Sequence, residues 1–272
     1  MRAALAYEWM RLRTVRSTYW LIGLSFAFQL IVTMLIAWQL PDSGPLSGGD
    51  GPVTQLVTVG AASGVAPLFL AYIVGIVGVF SMGHEYRHGM IRATLTAIPS
   101  RTAVFLAKLL TTAVIAAGAA IGCVAIGLLS AVVFGVDMAT FDRLWRLTLG
   151  VVLFTILFTW SGLAFSSLIR NQTAAVALLM LVPTVVESII RAVVITIKAG
   201  SDDPSGRGGL VSILKYLPYD AGGQMYTRAS LDDLLGFLGY TPFGAVGGGI
   251  VFGVFVGALL ALAYGLFLRR DA

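Results

Sequence analysis

Long apolar runs separated by short polar segments set the pattern of this chain. A bilayer's hydrocarbon core of roughly 30 Å needs about 20 residues of helix. Six runs reach that length: about Tyr19–Leu40, Gly60–Met82, Ala103–Phe134, Leu147–Ile169, Thr173–Ile195 and Ala245–Leu268. The first follows a charged helix and precedes no small-residue cleavage site, so it reads as a retained span and not a signal peptide. Two shorter pieces are amphipathic. In residues 1–18, helical spacing turns Leu5, Leu12 and Val15 toward lipid and Arg11 and Arg13 toward water and phosphate, with Glu8 placed to pair with Arg11. In residues 84–101, Met90, Ile91, Thr94, Leu95 and Ile98 fall within an arc of about 140° at helical periodicity. Arg92 lies off that arc, Pro99 ends the helix, and Ser100 or Thr102 caps the next one. The expected fold is an all-α membrane protein forming a single transmembrane domain over residues 1–272. It has six transmembrane helices, an N-terminal amphipathic interfacial helix and short external re-entrant helices before the last span.

Composition agrees. Apolar residues make up 58% and charged residues 11%, against about 25% charged in a soluble domain, and the mean hydropathy is +0.90. Basic residues in short loops are retained on the cytosolic side. With the N-terminus inside, Arg2, Arg11, Arg13, Arg16, Arg87, Arg92, Arg101, Lys108, Arg170, Arg269 and Arg270 fall there, while most aspartates fall outside. The expectation is a multi-pass protein of the cell membrane with both termini cytosolic. The net charge of +5 then holds topology against anionic membrane lipid and is no nucleic-acid footprint. Tyr19, Trp20 and Trp38 frame the first span as interfacial belts. Residues 41–52 read as a flexible external loop. The external segment 198–244 holds two apolar pieces too short to cross, Leu210–Leu217 and Leu231–Leu238, which lie in the outer leaflet or re-enter it. Gly249, Gly253 and Gly257, and Gly118 and Gly122, recur every four residues and mark faces where another helix approaches closely. Cys123 has no partner and reads as packing.

Three pieces of chemistry are candidates. His84-Glu85-x-x-His88 has the spacing that places two imidazoles on one helix face for zinc, with Glu85 as general base of a membrane metalloprotease. A third ligand is hard to find, since the chain has two histidines and its other glutamates are Glu8 and Glu187, and Gly89 weakens the helix that would hold the site. Glu187 in the fifth span suggests a proton-coupled secondary transporter, although Arg191, one turn on, offers it an i,i+4 ion pair near the outer interface. The third candidate is the amphipathic segment 84–101 as a receiver of force from another subunit.

An N-terminal helix reading Glu8-Trp9-Met10-Arg11-Leu12-Arg13, six spans, a Glu85-x-x-x-Gly89-Met90-Ile91-Arg92 segment ending Pro99-Ser100-Arg101 and followed by Lys108, and a long external piece before the last span are together distinctive. In these features the chain resembles the permease subunits of type-2 ATP-binding-cassette exporters. The resemblance implies a non-enzymatic transport subunit with no cofactor of its own. It would work with a separate ATPase subunit that binds ATP and Mg, and with a second permease, as a homodimer or heterodimer. It implies that residues 84–101 act as a coupling helix and, with the N-terminal helix, form the ATPase interface: Glu8, Arg11, Arg13, Glu85, Tyr86, Arg87, Gly89, Met90, Ile91, Arg92 and Leu95. The absence of a G-x-x-x-x-G-K-[ST] phosphate loop is consistent with hydrolysis in another chain. Largely uncharged spans suit an amphipathic or hydrophobic cargo moved out of the cell.

Overall fold

Caps and one glycine decide where the helices begin and stop. The computed structural model of the chain describes residues 1–39, 51–58, 70–136, 140–199, 211–226 and 243–269. Helix α1 runs Arg2–Thr14 and α2 Arg16–Gln39, followed by α3 at Gly51–Thr58 and α4 at Leu70–Arg87. Gly89, at φ 65°, supplies the left-handed residue that separates α4 from the short α5, Met90–Ala97. After Pro99, the Ser100 side chain accepts a hydrogen bond from Ala103 N–H and caps α6, Arg101–Val133. Helix α7 is Phe141–Ile169, and Asn171 caps α8, Gln172–Leu181, by accepting from Ala174 N–H. Pro183, which has no N–H to give, sits in a π-turn at Val182–Val186 that passes the chain into α9, Glu187–Ala199. A 3₁₀ turn at Leu214–Tyr216, α10 at Pro218–Gly223 and α11 at Gly244–Arg269 complete the order. Among the described residues there is no strand.

Five described helices are long and apolar enough to cross a membrane: Arg16–Trp38, Arg101–Val133, Phe141–Ile169, Gln172–Ile197 and Gly244–Arg269. The remaining expected span, Gly60–Met82, is described only from Leu70, as the start of α4; residues 59–69 lie outside the described residues. Most of the expected loop 41–52 lies outside them too, and so does Leu231–Leu238. Helix α3, at the end of that loop, was not anticipated. It buries Val53, Leu56 and Val57, and its Leu56 carbonyl accepts from Gln29 Nε2 at 3.2 Å.

Helix α7 is the centre of the bundle, with 61% of its most apolar window buried against 22% for α2, α8–α9 and α11. Helix α4 lies along it because glycines remove the side chains between them. A Cβ on Gly78 would stand 2.1 Å from the Thr159 carbonyl oxygen, and one on Gly162 would stand 2.6 Å from that of Gly75. At the other side of α7, Gly150 lies as close to the Met225 carbonyl, and Gly248 of α11 to that of Ala221. These are not the glycines that four-residue spacing selected. Gly118, Gly253 and Gly257 have nothing within 4 Å, while Gly122 meets Phe26 and Gly249 meets Met225. Spacing finds a glycine stripe but not the carbonyl opposite it. Aromatic rings of α7, α10 and α11 close the core, Tyr219 packing against Phe158 and Phe252 with its hydroxyl donating to Ser161 Oγ at 3.1 Å. Tyr19, Trp20 and Trp38 point outward from α2, as a belt residue should.

Gly78→Ala is expected to cost about 1–3 kcal/mol, the range for overpacking a tight contact. Gly118→Ala should leave the thermal unfolding of the detergent-solubilised chain unchanged or slightly raised, since alanine favours helix and nothing is displaced. Equal midpoints for the two variants would contradict the close contact assigned to Gly78.

Candidate functional site

At the end of the bundle where α4 stops and α6 starts, four charged side chains meet out of solvent. Helix α1 reaches this point because Ala4, Glu8 and Leu12, spaced at four residues, form its buried face, and Ala4 packs on Ala103 and Ala107 of α6. Three small side chains let the two helices approach closely enough for Glu8 to meet Lys108. The Lys108 ammonium is fully buried and has three donors. It donates to Glu8 Oε1 at 2.6 Å, to Glu85 Oε1 at 2.5 Å and to the Ser81 carbonyl at 3.0 Å. Arg11 closes the set with Nη1 to Glu85 Oε1 at 3.1 Å and Nη2 to the Ser81 carbonyl at 2.8 Å. Its Nη2 also lies 2.9 Å from Glu8 Oε2. Two carboxylates and two cations from α1, α4 and α6 thus balance within one buried cluster.

Helix α5 hangs directly from it. Ile91 and Leu95 pack with Met82, Phe105 and Phe267, and Tyr7 of α1 hydrogen-bonds Thr94 across 3.3 Å. The start of α6 is tied to the end of α11: Arg101 Nη1 donates to the carbonyls of Phe267 and Leu268 at 3.0 and 3.2 Å, and Thr102 pairs with Tyr264 at 2.8 Å.

This placement sorts the residues expected at a partner surface. Arg13, Arg87, Gly89, Met90 and Arg92 are exposed. Tyr86 is partly buried, with the Arg170 guanidinium 5.3 Å over its ring. Glu8 and Glu85 are fully buried and Arg11 is turned inward, so these three bind other parts of this chain and not its surroundings. Ile91 and Leu95 likewise face inward, leaving Met90, Arg92, Ala93, Thr96 and Ala97 as the outer face of α5. The expected Glu8–Arg11 pairing is present. Lys108 is the member that sequence reasoning did not single out as a site residue. The available signal was an ammonium two turns inside an apolar helix that carries no other charge after Arg101, which is costly unless paired.

Among the described residues the zinc arrangement does not assemble. Glu85, the base it needs, is held by Lys108 and Arg11. His84 stacks on Phe80 with ring centroids 4.5 Å apart, and His88 Nδ1 is 2.9 Å from the His84 carbonyl. Among the described residues no three His, Cys, Asp or Glu side chains come together.

At the other end of the bundle, the expected Glu187–Arg191 pair gives way to a different arrangement. Glu187 accepts from the backbone N–H of Tyr219 and of Asp220, both at 2.9 Å, at the start of α10. The first N–H groups of a helix have no partner within it, and a carboxylate suits them better than a side chain one turn away. Arg191 pairs with Asp220 instead.

Lys108→Met should destabilise the chain by about 3–5 kcal/mol, because it leaves a buried carboxylate uncompensated. Adding Glu8→Gln restores neutrality and is expected to recover part of the lost unfolding midpoint in detergent. Simple additivity of the two losses would show that the cluster is not coupled.

Comparison with known proteins agrees with this architecture. No curated protein matches the chain. A family model described as ABC-2 family transporter protein matches residues 49–267, which takes in the cluster's Glu85 and Lys108, all of α5 and the bundle from α3 through most of α11. The chain belongs to the ABC-2 transporter family, as a membrane-spanning permease subunit.

Proposed function

We propose that this chain is the membrane subunit of an ATP-driven exporter and that α5, held on the buried ion cluster, receives the movement of a separate ATPase subunit. The single observation that carries this reading is that α1, α4 and α6 share one neutral buried charge set immediately above α5. Pulling any of the three helices away would leave a buried charge unpaired, at a cost of several kcal/mol. A push on α5 is therefore passed to all three together.

The outer face of α5, with Arg87 and Gly89 beside it and Arg13 on α1, is the proposed docking surface. Both termini are cytosolic in this reading, supported by Arg2, Arg13, Arg16, Arg87 and Arg92 gathering around that end of the bundle. ATP and Mg belong to the partner, since the chain lacks a phosphate loop. A second permease completes the complex, and the weakly charged spans suit an amphipathic or hydrophobic cargo.

Met90→Asp tests this. Met90 is 42% exposed, so a carboxylate there leaves the chain folded and inserted, yet desolvating it against a partner would cost on the order of several kcal/mol. The variant purified from its native membrane is expected to lose its co-eluting ATPase subunit and its ATP-driven transport, while Thr14→Asp, on the exposed end of α1, retains both. Wild-type recovery of the ATPase with Met90→Asp would overturn the docking assignment.

A further inference from the structure

Helix α1 turns one face into the bundle and leaves the opposite face bare. The inward face is Ala4, Glu8 and Leu12, which recur every four residues. At about 100° per residue, Arg2, Ala6, Trp9 and Arg13 line up on the other side, with Met10 next to them. All five are exposed, Trp9 by 45% and Met10 by 65%. The charge on this face has one sign. Glu8 is the only acid in α1, and the ion cluster takes it inside, where Lys108 and Arg11 balance it. Arg2 and Arg13, with Arg16 at the start of α2, stay exposed, and none of the three has a counter-charge among the described residues.

The depth of this face follows from what adjoins it. Only Val15 separates α1 from α2, and Tyr19 and Trp20, one turn into α2, are exposed by 58% and 78%. Exposed aromatics at the start of a span sit at headgroup level. Ala4 and Glu8 meet Ala103, Ala107 and Lys108, all near the start of α6, so α1 stays beside the end of the bundle along its length. Bulk water at that level would suit the arginines but not Trp9 and Met10. A layer of anionic headgroups suits both, because the apolar side chains enter the acyl boundary while the guanidinium groups stay with the phosphates.

We propose that the outward face of α1, from Arg2 through Trp9 to Arg16 at the start of α2, is a binding surface for anionic phospholipid headgroups. The guanidinium groups match phosphate geometry, and Trp9 sets the depth. Headgroups then hold α1 from outside while Glu8 and Arg11 hold it from inside. The anionic lipid content of the membrane thereby bears on the helix that completes the ion cluster. This surface is separate from the outer face of α5 and does not depend on the docking of an ATPase there. Arg13, which borders that docking surface, is left in place in the test.

The full chain carrying Ala6→Cys and Cys123→Ala is labelled with a bimane fluorophore and reconstituted, without an ATPase subunit, in phosphatidylcholine vesicles. Quenching by a minor component of brominated phosphatidylglycerol is compared with quenching by the same fraction of brominated phosphatidylcholine. Phosphatidylglycerol should quench more strongly. That preference should fall by up to about fivefold with Arg2→Gln and again with Arg16→Gln added, the usual increment for a basic residue at an anionic surface. It should also shrink at high salt, where screening shortens the reach of surface charge. Recovery of the ATPase subunit from native membrane should be unchanged in both variants, which separates loss of lipid from loss of docking. Equal quenching by the two lipids, or an unchanged preference in the double variant, would overturn the proposal. So would the absence of quenching by either lipid, or loss of the ATPase subunit with Arg2→Gln, which would assign this face to that partner.

Discussion

An ammonium group with no exposed surface, seven residues inside an apolar helix, constrains everything near it. Moving a lone charge of that size out of water costs many kcal/mol, and the cost falls only if counter-charges and hydrogen bonds are supplied at good geometry. Lys108 obtains two carboxylates and one carbonyl, which uses all three of its donors. Those acceptors come from α1 and α4, and Arg11 then balances the second carboxylate. Once Lys108 is in place, the positions of α1, α4 and α6 relative to one another follow from it. The N-terminal helix is consequently an integral part of the bundle and not a loose anchor on the membrane surface.

The two ends of the bundle are built on different principles. At the cluster end, charge pairing joins three helices and α5 rides on them. At the far end, Glu187 caps α10 through backbone N–H groups and Tyr219 reaches Ser161 in the middle of α7. Between the ends, α4 and α7 touch backbone to backbone at Gly78 and Gly162, with no flexible side chain to absorb a displacement. Contacts of that kind transmit movement as rigid elements. In the proposed function, a push on α5 is carried along α4 to α7 and so to the helix that Glu187 and Tyr219 hold.

Local physics explains what was legible in the sequence. Helix-forming apolar runs, Gly89 with Pro99 and Ser100, and the i,i+3 relation of Glu8 and Arg11 all depend on neighbours in the chain; five of the six runs appear as helices long enough to span, the second is described only from Leu70, and the turn and the ion pair are present. The family resemblance resting on Glu85, Gly89 and Arg101 also held over residues 49–267. What escaped was set by partners distant in sequence. Glu85 pairs with Lys108 and Arg11, which lie 23 and 74 residues from it in the chain. Glu187 prefers backbone groups some thirty residues away to Arg191 one turn away. Leu95 shares the amphipathic face that periodicity assigns to α5, but periodicity cannot say that this face packs inward on Met82 and Phe105. The helix at Gly51–Thr58 was hidden because Gly51 and Pro52 read as loop residues, although proline is well suited to a helix start.

Whether α1 moves with α6 as one body is the measurement closest to the central claim. Ala4 and Ala103 pack together, so cysteines at both positions in a Cys123→Ala background can be oxidised to a disulfide and ATP-driven transport assayed before and after reduction. If the ion cluster holds the two helices together through the cycle, the cross-linked protein transports at the rate of its reduced form. Transport that stops on oxidation and returns with reductant would mean that α1 and α6 must separate, contradicting the cluster as a permanent clamp.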